Sequence, residues 1–371
     1  MKIAIIGTKG LPARHGGFET CVDEVSTRLV QRGHQVFLYY HSKSNSRRSY
    51  RGVKMIRVPT LESKHLATII SSLVSTLSVA FKNMDVVHVY GVGSSIFVPL
   101  LRCLSHKTII SVDALDWRRA KWNRFASWYL RKAEKVAALF ANSIVVDNKV
   151  IGRYYRDSYG IRARYVPYGA EIRRDSRVDA LKKFGLEGDD YLLFVGRLKP
   201  EKGVHRLIQA FRGLKTDKKL ALVGDDAFSR EYISELKSTA GPNVKFLGYV
   251  YGEECRQLYC HAYLYVTASE IEGTSPALLT AMGYGNCVVV NDIPENRETI
   301  RDAGISFRKD DVDDLHRQLQ RLIDRPKLVR EYRIKAKERV AQNYSWEKVT
   351  DQLEDLYRLS GSEKRRVCMK D

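Results

Sequence analysis

Short apolar runs alternate with longer amphipathic stretches along the whole chain. Ile3 to Ile6 is a compact apolar run that ends in Gly7, and Phe18 to Gln31 then repeats apolar residues at helical spacing. Gly33-His34 turns into a second run, Gln35–Tyr40, so strand, loop, helix and strand open the chain. Further strands are predicted at Met55–Val58, Asp85–Val89, Thr108–Val112, Ser143–Val146 and Arg164–Val166, with helices between most of them. One of those helices, Leu66 to Phe81, is apolar and rich in Ser and Thr. It falls short of the roughly 20 residues that span a bilayer, so it reads as a core helix.

Pro167-Tyr168-Gly169 interrupts the rhythm with residues that suit a turn between domains. After a charged segment, 171–190, strands are predicted at Leu192–Val195, Leu220–Val223, Val244–Phe246 and Ala262–Val266, and Cys287–Val290 closes the series. Helices follow Lys202, open near Thr274, and run from Leu315 to Ile323 and from Ser345, as cap, to about Leu359. The alternation predicts an α/β protein of two doubly wound domains, residues 1–167 and 168–343, with 344–371 as a closing helix and basic tail.

Length agrees, since 371 residues suit two cores better than one. Lys2 leads straight into the first strand, so no signal peptide is expected. The six cysteines lack zinc-like spacing and read as reduced cytosolic thiols, with no metal site.

The charge is strongly basic and unevenly spread. Of a net charge of +20, residues 1–170 hold 27 Lys/Arg against 10 Asp/Glu, and the remainder 36 against 33. The first half therefore suits an anionic partner, or its charge serves solubility alone. From Trp117 to Lys135 the cations are interleaved with aromatics, which fits a membrane surface, a lipid diphosphate or a nucleic-acid backbone. The basic loop 41–54 reads as a mobile connection or as an acceptor contact.

Two loops carry the candidate chemistry. Gly196-Arg197 and Lys202-Gly203 follow one strand, and Glu270, Glu272-Gly273-Thr274-Ser275 follow another. Two cations on one loop and carboxylates beside a helix start on the other suit a sugar bound through a diphosphate. In the first half, Gly16-Gly17 stands at a helix N-terminus, where amides welcome an anion. That loop lacks G-x-G-x-x-G and no acidic residue ends the second strand, which disfavours a dinucleotide. Asp113 and Asp116 end another strand, followed by Trp117, Arg119, Lys121 and Trp122. They could serve an acceptor hydroxyl, a sugar ring and an acceptor phosphate, or only cap and anchor a helix. Asp310 to Asp314 reads as a helix cap rather than a metal motif, and Asp225-Asp226 as a turn or a nucleoside contact.

Gly196, Arg197, Lys202 and Gly203, with Glu272-Gly273 and Ala281-Met282 downstream, resemble the donor half of family 4 glycosyltransferases of GT-B fold. The opening K-G-L-P-A-R-H-G-G-F-E-T and the stretch D-A-L-D-W-R-R-A-K-W resemble a rhamnosyltransferase subgroup of that family. Ala114 stands where the subgroup has Gly, and Asp116 where it has Glu. The resemblance implies two Rossmann-like domains facing across a cleft, with the last helix returning to the first domain. It implies a retaining, metal-independent transferase with no cofactor. The substrates would be a nucleotide-diphosphate sugar, dTDP-rhamnose in this subgroup, and a glycan or lipid-linked acceptor in cell-surface polysaccharide synthesis. The place would be the cytoplasmic side of an anionic inner membrane, as a peripheral protein, and no nucleic-acid module is recognised.

By residue, the resemblance assigns Arg197 and Lys202 to the diphosphate, with Gly16 and Gly17 as amide donors. Glu272 with Gly273, Thr274 and Ser275 would orient the sugar, and the backbone of Tyr249 and Val250 would read the base. Asp113 would face the acceptor, with Asp116, Trp117, Arg119 and Lys121 beside it. The family's Glu-x7-Glu is broken, because Thr280 occupies the second place. Either the donor is a deoxyribose nucleotide held differently, or activity is reduced; Glu270 could substitute spatially for the missing carboxylate, but reads first as a solvated surface residue. His88 reads as a core residue, with Tyr90 where a functional His would be expected. A GT-B epimerase and a catalytically weakened scaffold remain as alternatives.

Overall fold

A computed structural model describes residues 1–13, 16–41, 47–59, 66–113, 115, 117 and 124–359. They divide into two compact units, residues 1–168 together with the segment from Trp346 onward, and Gly169–Ser345.

The first unit is built on strands β1 (Lys2–Thr8), β2 (Gln35–Tyr40), β3 (Ser49–Tyr50), β4 (Val53–Arg57), β5 (Val86–Tyr90), β6 (Thr108–Val112), β7 (Ser143–Val146) and β8 (Arg164–Tyr165). Its helices are α1 (Gly17–Gln31), α2 (Leu66–Ala80), α3 (Val98–Cys103), α4 (Arg124–Phe140) and α5 (Lys149–Tyr159). The strand order is β3-β4-β2-β1-β5-β6-β7-β8, parallel apart from the β3–β4 hairpin at the edge. Every residue of β5 and of β6 is buried, as central strands covered on both faces require. Gly7 ends the straight part of β1 at φ 96°, where a Cβ would lie 2.2 Å from the carbonyl oxygen of Tyr90.

The second unit contains helices α6 (Asp179–Lys183), α7 (Val204–Arg212), α8 (Arg230–Thr239), α9 (Gly252–His261), α10 (Pro276–Gly283), α11 (Pro294–Ile300), α12 (Val312–Asp324) and α13 (Pro326–Asn343). Its strands are β9 (Tyr191–Val195), β10 (Lys219–Val223), β11 (Val244–Gly248), β12 (Leu264–Thr267), β13 (Cys287–Asn291) and β14 (Ile305–Phe307). They run parallel in the order β11-β10-β9-β12-β13-β14. In α12 the buried Leu315, Leu319 and Leu322 keep helical spacing, and Asp311 caps the helix by accepting the Asp314 N–H at 2.8 Å.

The last helix, α14 (Trp346–Leu359), belongs to the first unit. Arg32 of the α1 C-cap reaches Glu347, Asp351 and Glu354 at 2.7–2.8 Å, and His34 Nε2 lies 3.0 Å from Glu354. These bonds hold the Glu354 carboxyl down to about 2, with Arg32 the largest cause.

Four local expectations change. The basic loop 41–54 yields the β3–β4 hairpin, turned by Arg51 and Gly52 at positive φ. The segment 171–190 contains α6. The helix expected near Thr274 starts at Pro276, whose ring presets helical φ at the first position. Cys287–Val290 is not the last strand, because the short run Ile305–Phe307 pairs beyond it. A three-residue strand is too short to show a period.

Candidate functional site

Strand order places β9 beside β12, with β10 and β11 beyond one and β13 and β14 beyond the other. That reversal of winding is a topological switch point, where loops at the strands' carboxyl ends diverge and leave room for a ligand. The two loops singled out from the sequence leave these two strands.

After β9 the chain enters a 3₁₀ turn, Pro200–Lys202, which Gly203 closes at φ 65°. A Cβ on Gly203 would lie 2.3 Å from the carbonyl oxygen of Ala268, so only glycine lets the turn sit against the end of β12. The two loops are then joined. The Glu270 N–H donates to the Glu201 carbonyl at 3.0 Å, and the Lys202 ammonium pairs with the Glu272 carboxylate. Both side chains of that pair are mostly buried, at 21% and 12% exposed. Arg206, four residues along, pairs with Glu270 and lies 3.6 Å from Asp310. Asn291 at the end of β13 donates to Asp310 at 2.9 Å and to the Ser269 carbonyl at 3.1 Å.

Gly273, Thr274 and Ser275 are buried and lead into α10, with Ser275 as its cap residue. The Thr280 hydroxyl donates to the Pro276 carbonyl at 2.8 Å, so the helix uses it internally. Arg197 is exposed and forms no ion pair with any described residue. Its charge acts on Tyr249, whose phenol burial and its neighbour Tyr251 push upward. Tyr249 and Tyr251 are half exposed and stacked, with centroids 5.8 Å apart, while Val250 between them is buried.

Glu270 is not the solvated residue expected from the sequence, because Arg206 holds it. Asp226 is buried, accepts the Ser229 hydroxyl at 2.6 Å and lies 3.8 Å from Lys199, so it shapes the turn after β10. Arg206, Lys199 and Asn291 were missed. For Arg206 a signal existed: it is a third cation, placed in the first turn of the helix that follows the Arg197 and Lys202 loop.

The first unit has the same switch point, between β1 and β5. Gly16 caps α1 at φ 104°, and a Cβ on Gly17 would lie 3.0 Å from the Tyr168 ring. Phe18 meets Tyr90 and Tyr168 edge-on, at 5.4 and 6.5 Å between centroids. Asp113, half-buried at the end of β6, helps push the buried Tyr168 phenol upward, after burial itself. A small cavity beside these rings is lined by Cys21, Ser111, Asp147 and Tyr168. Burial pushes the Cys21 thiol up to about 12, which keeps it inert.

Trp117 packs against the first unit's core, with the Arg131 guanidinium 4.1 Å above its ring, so it anchors α4. Asp116, Arg119 and Lys121 lie outside the described residues, as does the tail after Leu359. His88 is fully buried, stacks on Tyr90 and bonds the Tyr357 and Ser111 hydroxyls at 2.6 and 2.8 Å, a core residue as read.

Residues 177–339 match the family model described as Glycosyl transferases group 1, and residues 1–171 match a domain of unknown function, DUF1972. The O-antigen chain mannosyltransferase B of Escherichia coli is 30% identical over 186 residues, 48% of each chain. A Campylobacter jejuni enzyme, named as adding N-acetylgalactosamine to a diphospho-undecaprenol-linked acceptor, is 29% identical over 43% of this chain and 44% of its own. The chain thus spans about half the length of these curated relatives. The Anabaena protein HepE, solved in complex with UDP-glucose, superposes with a TM-score of 0.80 over 96% of this chain and 99% of its own, at 18% identity. The chain therefore has the GT-B fold, and the match to the Glycosyl transferases group 1 model falls on its second unit.

Proposed function

We propose that this chain is a glycosyltransferase moving a sugar from a nucleotide-diphosphate donor to a lipid-linked or glycan acceptor in surface-polysaccharide synthesis. One observation carries the reading: the cation loop of Arg197 and Lys202 and the acidic loop of Glu272 lie side by side at the second sheet's switch point. Arg197 and Lys202 neutralise the departing nucleoside diphosphate, as stabilisation of developing charge requires. Glu272 and the backbone of Gly273, Thr274 and Ser275 orient the sugar, and Tyr249 and Val250 read the base. Gly16 and Gly17 add amides, and Asp113 positions the acceptor hydroxyl. The transfer retains configuration and uses no metal. Because Thr280 spends its hydroxyl within α10, no carboxylate grips a ribose diol there, and dTDP-rhamnose is the donor to test first. The protein works as a peripheral one, at the cytoplasmic face of an anionic membrane.

The test is thermal denaturation with dTDP, UDP, GDP or ADP and without metal. A ligand that binds only the folded state raises Tm by mass action. One nucleotide should raise it, and Lys202→Ala should abolish the shift. No shift with any of the four removes the donor site and leaves a scaffold, the alternative that Thr280 suggests.

A further inference from the structure

We propose that the exposed face of α4 docks on an anionic lipid surface. The helix has one carboxylate, Glu134, and it points inward, accepting the Tyr154 and Tyr159 hydroxyls at 2.7 Å each. The outward face carries four cations, Arg124, Arg131, Lys132 and Lys135, and no acidic residue. Beside them Phe125 and Trp128 are 73% and 55% exposed and stacked on each other, with centroids 5.9 Å apart. Leu139 and Phe140 continue the apolar exposure at the other end.

Four like charges along one helix face repel one another, and large apolar side chains in water forgo burial. A surface of phosphate headgroups over hydrocarbon satisfies both deficits at once. Cations meet the headgroups while the rings enter the boundary beneath them, as on interfacial helices generally. A nucleic-acid backbone or a second copy of the chain would satisfy only one.

The position suits the proposed reaction. The Ser127 hydroxyl donates to the Trp117 carbonyl at 3.2 Å, and Arg131 covers the Trp117 ring. The first turns of α4 are thus fastened to the segment that follows β6 and carries Asp113. A lipid-anchored acceptor would be presented at the end of the sheet where Asp113 stands. This placement rests on the proposed acceptor, whereas the docking itself needs no sugar nucleotide.

The experiment is co-sedimentation of the full chain with vesicles of phosphatidylcholine alone, or mixed with phosphatidylglycerol, in the absence of nucleotide. The parent should sediment with the mixed vesicles only. Lys132→Glu with Lys135→Glu should weaken that binding about tenfold or more, as should Phe125→Ser with Trp128→Ser. All four side chains are exposed, so both variants should keep the parental melting temperature and nucleotide-induced shift. A parent that ignores anionic vesicles, or variants that sediment like it, would overturn the proposal. So would variants that lose only self-association or oligonucleotide binding. A nucleotide shift without vesicle binding sinks the docking alone, and the reverse sinks the transfer reading alone.

Discussion

Lys202 and Glu272 are 70 residues apart in the chain and form an ion pair at the point where the second sheet changes its winding direction. Removing either partner therefore does two things at once: it deletes a proposed substrate contact and frees the other partner. Lys202→Ala should lower kcat/KM by about a hundredfold or more and weaken nucleoside diphosphate binding. Glu272→Gln should lower kcat comparably, yet leave that binding as tight or tighter, because the ammonium is released. Steady-state kinetics beside nucleotide titrations separate the two, and equal loss of binding in both variants would remove the division of roles.

Arg206 holds the acidic loop through Glu270 and touches no proposed ligand. Both side chains are partly exposed, so a double-mutant cycle of Arg206→Met and Glu270→Gln should give a coupling of only about 0.5–1 kcal/mol. The effect on transfer should be larger than that on stability, since a loop displaced by about 1 Å costs up to about a hundredfold in rate. Unchanged kcat in Arg206→Met would make the pair purely structural.

Gly203→Ala places a Cβ 2.3 Å from the Ala268 carbonyl oxygen on a backbone at positive φ. The second unit should lose about 2 kcal/mol or more, with nucleotide binding weakened as the two loops part. Parental stability in this variant would show that the turn can move away from β12.

Acid should destabilise the first unit in two windows. Burial lowers His88 to about 3 in the folded chain, so the unfolded chain protonates first. Stability then falls as pH drops from about 6.5 towards 3, by up to about 1.4 kcal/mol per pH unit. Glu354 is the opposite kind of group: its folded value near 2 adds stability above about 4.5, lost as pH falls towards 2. Residues 169–345, the second unit, contain no tryptophan, so tryptophan fluorescence follows the unfolding of the first. His88→Gln should flatten the slope between pH 7 and 5, and an unaltered slope would assign it to other groups.

Strands and helices were legible because parallel strands covered on both faces need unbroken apolar runs, while helices between them need an apolar stripe. Thr108–Val112, Ser143–Val146 and Gln35–Tyr40 stand in the structure where the pattern put them. Both loops of the candidate site were also visible, since a loop after a strand and before a helix is marked by its glycines, prolines and charges. The edge hairpin at Ser49–Tyr50 and the strand Ile305–Phe307 were not, being too short for any period to appear.

The local alternation, the candidate cations and carboxylates, and the boundary near Tyr168 are properties of the chain read in order. Which of these groups touch is decided by the fold. The order β11-β10-β9-β12-β13-β14 brings the loops after β9 and β12 together and turns two separate motifs into one ion-paired constellation. No local pattern encodes that adjacency, because a parallel crossover can set the next strand on either side. The choice is made when both faces of the whole sheet are buried. Thr280 shows the same division: its identity was plain in the chain, but only the helix geometry shows its hydroxyl turned back onto Pro276.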